Sequence, residues 1–243
     1  MMRERAVSEV VGYILILGIF TIFIAFSYAY VLPSIENQKE DVRFENAKNT
    51  MIEITESINE VSILSFSNLS HSKSLNFQSP FPVLVYSDSR IEISAGSLER
   101  EIPLKTIVYE SRKGTVGYEN TGCFVAYPSA SLPLLSPRIS FLQDTSGNIS
   151  VYIPVVKLNI SESSFYGKVI LKGSLEEFSI NDSSELYLEI ESGHFPEAWE
   201  RCLREELSRI SASYEIGRDG NTVELTLSGN LRIFLSIYSV EII

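Results

Sequence analysis

The chain has 243 residues, and its 31 acidic and 20 basic side chains give a formal net charge of −11 at pH 7. Such an acidic chain is a poor partner for nucleic acid or for an anionic membrane surface, and we expect it to bind neither. Hydrophobic residues make up 44% of the chain, which is enough to bury a sizeable core.

The first predicted element is an apolar helix that follows a short charged tip. The tip carries Arg3 and Arg5, and the apolar block runs from Val10 to Leu32 without a charged residue. At a rise of 1.5 Å per residue, this block spans roughly 34 Å as a helix, which is enough to cross a bilayer.

Three interpretations of this segment are open. A secretory signal peptide could be removed after Ala29, because Ser27-Tyr28-Ala29 satisfies a small-x-small cleavage site, although the apolar block is longer than an ordinary signal requires. A plain signal anchor would span the membrane and stay uncleaved. A prepilin-type leader would be cut before the apolar block, so the helix would remain on the mature protein.

Residues 5–12, Arg-Ala-Val-Ser-Glu-Val-Val-Gly, favour the third interpretation. They resemble the archaeal type IV prepilin pattern of a basic residue, a small residue, the scissile bond and a Ser-containing lead into a hydrophobic helix. The resemblance implies processing by a prepilin peptidase at Arg5, Ala6 and Val7. Because the tip is short and the following domain is long, we expect a single-pass protein whose C-terminal domain lies outside the cell membrane.

A second, amphipathic helical segment is predicted to run from residue 33 to about residue 64. Pro33 should bend the chain just beyond the apolar block, because proline lacks an N–H group and clashes with the preceding turn. Apolar residues then recur at spacings of three and four, at Phe44, Ala47, Met51, Ile54, Ile58 and Val61. This stripe is either a coiled-coil seam or a face for a globular head, and its short length favours the head.

The rest of the chain predicts a β-rich head. Ser65–Pro82 is rich in Ser, Asn and Pro and is predicted to be a connection. Beyond it, alternating apolar runs predict an antiparallel sheet or sandwich, interrupted by one helix that starts near Pro196 and buries Trp199. The apolar runs around Leu225 and Ile233 are predicted to be two strands that form a C-terminal pair. The predicted divisions are residues 1–6 (leader tip), 7–32 (membrane or assembly helix), 33–64 (amphipathic helix) and 65–243 (extracytoplasmic domain).

The predicted fold class is therefore α+β. It consists of a long N-terminal helix, first membrane-spanning and then amphipathic, packed on an antiparallel β-rich head with one short additional helix.

Two kinds of modification are considered for the head. Asn-x-Ser sequons indicate glycosylation outside the cytoplasm, with unused sequons as the alternative, and they occur at Asn68, Asn148, Asn159 and Asn181. Cys123 and Cys202 could form a disulfide in an external location. Two buried thiols are the favoured state, because one residue is predicted on a strand and the other on a helix.

We predict no catalytic residue, cofactor or metal site. His71 and His194 are the two histidines, and neither has a neighbour at a metal-ligand spacing. The chain also lacks a Gly-rich phosphate loop, a nucleophile elbow and a zincin helix. These observations favour a non-enzymatic protein.

Three further segments resemble an uncharacterised family of archaeal pilin-like surface proteins: residues 148–158 (NISVYIPVVKL), 197–207 (EAWERCLREEL) and 231–243. The resemblance implies export, anchoring in the membrane and, through the helix, other pilin-like subunits as partners in a surface pilus. The bulky head favours a minor or accessory subunit. The alternative is a monomeric, membrane-anchored extracellular domain that binds a ligand and does not polymerise.

Overall fold

The computed structural model describes residues 2–67, 70–160 and 164–243, with side chains from residue 12 onward except at residues 67, 79 and 80. The chain divides into two compact units, residues 1–45 and 46–243. The helices are α1 (Met2–Phe26), α2 (Leu32–Leu64) and α3 (Pro196–Leu207), with a π-helical turn at Ser27–Val31 and a 3-10 turn at Ser65–Ser67.

Pro33 causes the π-helical turn. The pyrrolidine ring at this position clashes with the carbonyl group of Ala29 in a regular α-helix, and Pro33 has no N–H group to donate. The amide of Leu32 instead donates to the carbonyl oxygen of Ser27, five residues earlier, which widens the turn. The helical conformation therefore continues past Pro33 with an altered hydrogen-bond pattern, at the point where the sequence predicts a bend.

The second unit contains an 11-stranded sheet with the path β6-β5-β4-β3-β2-β9-β11-β8-β7, where β1 also pairs with β9 and β10 with β11. Among the described residues, the pairs are antiparallel except for β8 with β11. The strands are β1 (His71–Pro82), β2 (Leu84–Ala95), β3 (Leu98–Ser111), β4 (Gly114–Glu119), β5 (Gly122–Tyr127), β6 (Ala130–Leu135), β7 (Ser140–Gln143), β8 (Ile149–Asn159), β9 (Ser164–Glu191), β10 (Ser213–Asp219) and β11 (Thr222–Ile242). The predicted α+β class is confirmed.

Two sequence predictions are wrong in detail. Ser65–Pro82 is not only a connection, because it contains β1. Among the described strands β1 pairs with β9 alone, and an edge strand of this kind tolerates proline. The apolar runs around Leu225 and Ile233 belong to one 21-residue strand rather than to a strand pair. The register shifts between Ser228 and Leu231, so the intervening Gly-Asn pair forms a bulge instead of a turn.

Two strands change the face that they bury. In β8 the buried residues are Ile149, Val151, Ile153 and Val155, and then Val156 and Leu158. In β11 beyond its bulge they are Leu231, Ile233, Leu235 and Ile237, and then Tyr238, Val240 and Ile242. Ile237 pairs with Val155, and Tyr238 pairs with Val156, so the change falls on the same row of the sheet. Because successive side chains point to opposite faces, each half of the sheet buries a different face.

The helix α3 covers the first of these faces. Trp199 is fully buried, and its ring centroid lies 5.3 Å from that of Phe124 on β5. The other buried side chains of the helix are Ala198, Cys202, Leu203 and Leu207. The prediction that Trp199 is a core residue is confirmed.

The part of α2 that belongs to the second unit packs on the sheet through the predicted stripe. Ala47, Met51, Ile54, Ile58 and Val61 are all buried. Gly173 of β9 permits the close approach, since a Cβ atom there would lie 2.6 Å from Val61 Cγ1 and 2.9 Å from the Val61 carbonyl oxygen. Asn59 Nδ2 also donates to the carbonyl oxygen of Thr121 at 2.8 Å. For residues 47–61, the stripe is therefore a packing face of the head.

Replacing Gly173 by alanine should force α2 away from β9. We expect Gly173→Ala to lower the free energy of unfolding by about 1–3 kcal/mol, the usual cost of overpacking. Gly217→Ala is the matched control, because Gly217 also lies in a strand and has nothing within 4 Å of an added Cβ atom. Urea unfolding of the detergent-solubilised protein, followed by fluorescence of the buried Trp199, gives both values. Equal stability of the two variants would contradict close packing of Val61 on Gly173.

Candidate functional site

The N-terminal helix presents a continuous exposed apolar surface. Between residues 13 and 32, fifteen large apolar side chains are exposed, among them Tyr13 at 75% and Leu17 at 70%. Thr21 interrupts this surface without leaving its hydroxyl unpaired, because its Oγ1 donates to the carbonyl oxygen of Leu17 at 2.8 Å. The segment is thus helical and apolar, and its large apolar side chains are exposed.

This helix is long and apolar enough to span a membrane, and the most apolar stretch of it has no buried residue. Exposed apolar surface costs free energy in water, about 25 cal/mol for each Å². A segment of this kind is stable only where lipid or another apolar surface covers it. Single-pass anchoring is therefore consistent with the structure.

The predicted processing residues Arg5, Ala6 and Val7 lie within the bounds of α1. Their side chains belong to the part of the chain whose environment is not described, so cleavage next to Val7 stays a prediction.

The sequons lie in different environments. Asn148 is exposed between β7 and β8, and Asn159 is exposed at the end of β8, although its sequon partner Ser161 lies outside the described residues. Asn181 is half-buried within β9, where it pairs with Ile233 of β11. Asn68 lies outside the described residues.

The two cysteines are free and buried. The two thiols lie on opposite faces of the sheet. Phe124 of β5 packs on Trp199 of α3, so its neighbour Cys123 points to the face of β5 away from α3. Cys123 lies beside Thr55 of α2, whereas Cys202 is part of α3 itself. Burial raises the pKa of both thiols, of Cys123 to about 12 and of Cys202 to about 11.

The histidines are not joined to a cluster of metal ligands. His194 lies near Asp88, with 3.9 Å between Nε2 and Oδ2, and its ring packs against Tyr86 at 4.5 Å between centroids. Across the side chains that the structure describes, no three His, Cys, Asp or Glu residues are grouped so as to hold a metal ion.

A buried carboxylate joins β4 to α3. Glu119 is fully buried and accepts hydrogen bonds from Trp199 Nε1 at 2.9 Å, from Ser192 Oγ at 3.0 Å and from Thr106 Oγ1 at 3.3 Å. Burial raises the pKa of Glu119 to about 7, and these donated hydrogen bonds limit the rise. Sequence reasoning missed this residue, because Glu beside an Asn-Thr-Gly turn is typical of an exposed loop.

The turn after Glu119 has an unusual backbone. Asn120 and Thr121 have positive φ values of 36° and 70°, which β-branched residues rarely adopt. Asn120 compensates by donating to the Pro154 carbonyl oxygen at 3.3 Å and accepting from the Val156 amide at 2.9 Å. The turn therefore holds β8 at the row where its buried face changes.

These features define an α+β protein whose N-terminal helix is long and apolar enough to span a membrane. A model of the family of unknown function DUF7289 matches residues 5–243, and the chain belongs to that family. Searches against curated proteins and against solved structures find no match.

The raised pKa of Glu119 predicts a specific dependence of stability on pH. Between the ordinary value of 4.5 and about 7, the folded protein keeps a proton on Glu119 that the unfolded chain has lost. The stability that this bound proton gives the folded protein is fully present below pH 4.5 and is lost as the pH rises through 7. The free energy of unfolding of the wild-type protein should therefore fall by up to about 3 kcal/mol between pH 5 and pH 8. We expect Glu119→Gln to remove this fall.

Urea unfolding at a series of pH values measures this fall. Glu215→Gln, which changes an exposed carboxylate on β10, is the control and should leave the fall in place. If Glu119→Gln and Glu215→Gln show the same pH dependence, Glu119 is not the group that takes up the proton.

Proposed function

We propose that this protein is a type IV pilin-like surface subunit, a minor or accessory one, held in the membrane or in a filament by its N-terminal helix. The observation that carries the proposal is the exposed apolar surface between residues 13 and 32. Fully burying one Leu, Ile or Phe side chain is worth about 1.5–3 kcal/mol, so covering this surface outweighs any single contact of the head.

The proposed mechanism is lateral packing of these helices. In the membrane, lipid covers the apolar surface, and in a filament the helices of neighbouring subunits replace the lipid. Gly12 and Gly18 have nothing within 4 Å of an added Cβ atom, which leaves room for a second helix to approach closely there. The head needs no catalytic group for this role, and its outer surface is the part that meets the surroundings.

Processing at Arg5, Ala6 and Val7 is part of the proposal. A prepilin peptidase that cuts beside Val7 removes the charged tip and keeps the apolar helix on the mature protein. The head is then the extracytoplasmic part of a single-pass protein, because a long domain crosses the membrane largely regardless of its charge.

One observation favours the alternative, a monomeric anchored domain that binds a ligand. The outer face of the head exposes apolar side chains that no other described element covers completely, including Phe178 at 43% and Ile180 at 53%. A ligand-binding domain would need the same membrane anchor. The helix therefore suits both functions, and they differ in whether the protein assembles into a filament.

The first test is the mature N-terminus. We expect intact-mass measurement of protein from native membranes to give a chain that begins at or next to Val7 and retains residues 10–32. A chain that begins near Tyr30 would be a secreted protein with its signal removed. A chain that keeps Met1 would be a plain anchor. Either result contradicts the prepilin assignment.

The second test separates the helix from the head. A Cβ atom added at Gly18 meets no described atom within 4 Å, but the charge that Gly18→Asp places at the membrane centre costs on the order of 2.5–3.5 kcal/mol. We expect it to reduce membrane insertion and to abolish recovery of the protein with sheared surface filaments. Gly217→Asp, at an equally open position in the head, should do neither. Wild-type protein that never appears among sheared filaments would favour the monomeric alternative.

A further inference from the structure

A polar cleft of about 350 Å³ opens on the head. Its polar lining comes from the β7–β8 turn, the start of β8, the bulge of β11 and the residues just after it, and the middle of β9: Asp144, Asn148, Ser150, Asp182, Asn230 and Arg232. Ser150 and Arg232 point away from the α3 core, because their odd-numbered neighbours on β8 and β11 are buried in it. The cleft therefore lies on the outer face of the sheet.

The strand register arranges this outer face in rows. Ile149 pairs with Leu231, which sets Asn148 beside Asn230, and Asn230 Nδ2 donates to Asn148 Oδ1 at 2.6 Å. The next row holds Ser150, Arg232 and Asp182, with Arg232 Nε donating to Asp182 Oδ1 at 2.8 Å.

The row after that is apolar. It contains Tyr152, Phe234 and Ile180, and the rings of Tyr152 and Phe234 stack at 4.6 Å with only 6° between their planes. Tyr152 remains 39% exposed and Ile180 53% exposed. The two polar rows can hydrogen-bond to sugar hydroxyls, and the adjacent apolar row can pack against the C–H face of a sugar ring.

Asn148 stands at the open end of these rows and belongs to a sequon. Its Nδ2 donates to Asp144 Oδ2 at 2.7 Å. An amide nitrogen carries two hydrogens, so replacing one of them by a sugar carbon leaves the other for Asp144. The contacts with Asp144 and Asn230 also hold the side chain in one orientation, at the mouth of the cleft.

We propose that Asn148 carries a glycan whose sugars lie in this cleft and on the apolar row beyond it. The proposal rests on the extracytoplasmic location proposed for the head. At about 3.3 Å per residue, Ser150 lies roughly 7 Å and Tyr152 roughly 13 Å along β8 from Asn148. One sugar therefore covers the polar row, and a second reaches the aromatic pair.

The modification is a group transfer from a lipid-linked sugar phosphate. A bond forms between Asn148 Nδ2 and the anomeric carbon, and the bond from that carbon to the phosphate oxygen breaks. The phosphate leaves on its lipid carrier, and the amide proton passes to a base of the transferase.

The sequon at Asn181, which is described over all three of its residues, does not share this setting. Asn181 is half-buried and lies on the same face of the sheet as its partner Ile233, whose side chain is in the α3 core. Asn181 therefore serves as the matched control for Asn148.

Glycopeptide mapping and intact mass of the protein from native membranes test the attachment. Asn148→Gln should lose the mass of one glycan, and Asn181→Gln should keep the wild-type mass. An unmodified Asn148 on a head that protease reaches from outside intact cells overturns this inference and leaves the proposed function standing. A head that protease does not reach overturns both.

A mutant cycle tests whether the glycan lies in the cleft. We expect Asn148→Gln to lower the melting temperature of the wild-type protein more than that of Tyr152→Ser, since the second background has lost the surface on which the glycan packs. Tyr166→Ser changes a tyrosine of β9 that is more exposed than Tyr152, at 66% against 39%, and should leave the effect of Asn148→Gln unchanged. The same loss in all three backgrounds would place the glycan outside the cleft.

Discussion

The antiparallel pairing of β9 with β11 is the contact on which both buried faces of the sheet depend, the one under α3 and the one under residues 47–61 of α2. The two strands stay paired from Glu191 and Thr222 at one end to Leu171 and Ile242 at the other. One end of this ladder buries its side chains under α3. At the other end, Val240 pairs with Gly173, the residue that admits Val61 of α2. A single ladder therefore sets the position of two helices on opposite faces.

Much of this arrangement follows from local sequence patterns. The spacing from Ala47 to Val61 predicts a packing face on a helix, and that face is buried. The apolar stripe through Trp199 likewise predicts α3. These predictions succeed because helix periodicity depends on neighbouring residues of the same segment.

The features that escaped prediction depend on residues far apart in the chain. Glu119 is buried because Trp199, 80 residues later, donates to it, and no short motif records such a pair. The bulge in β11 appears as a turn in the sequence, since Gly-Asn is a common turn pair and only the partner strand keeps the chain extended. The cleft beside Asn148 depends in the same way on β8, β9 and β11 together.

The position of β11 in the sheet also governs when the head can fold. A ribosome delivers residues in order, and β11 follows all three of its partners, β8, β9 and β10. Strand β1 likewise has no partner until β9 is made, because His71 pairs with Gly173, about a hundred residues later. Neither buried face of the sheet is complete before β11 is made, and folding that depends on such distant pairs is slow. The nascent head thus stays open during synthesis, and its unpaired strands need protection from aggregation until β11 is made.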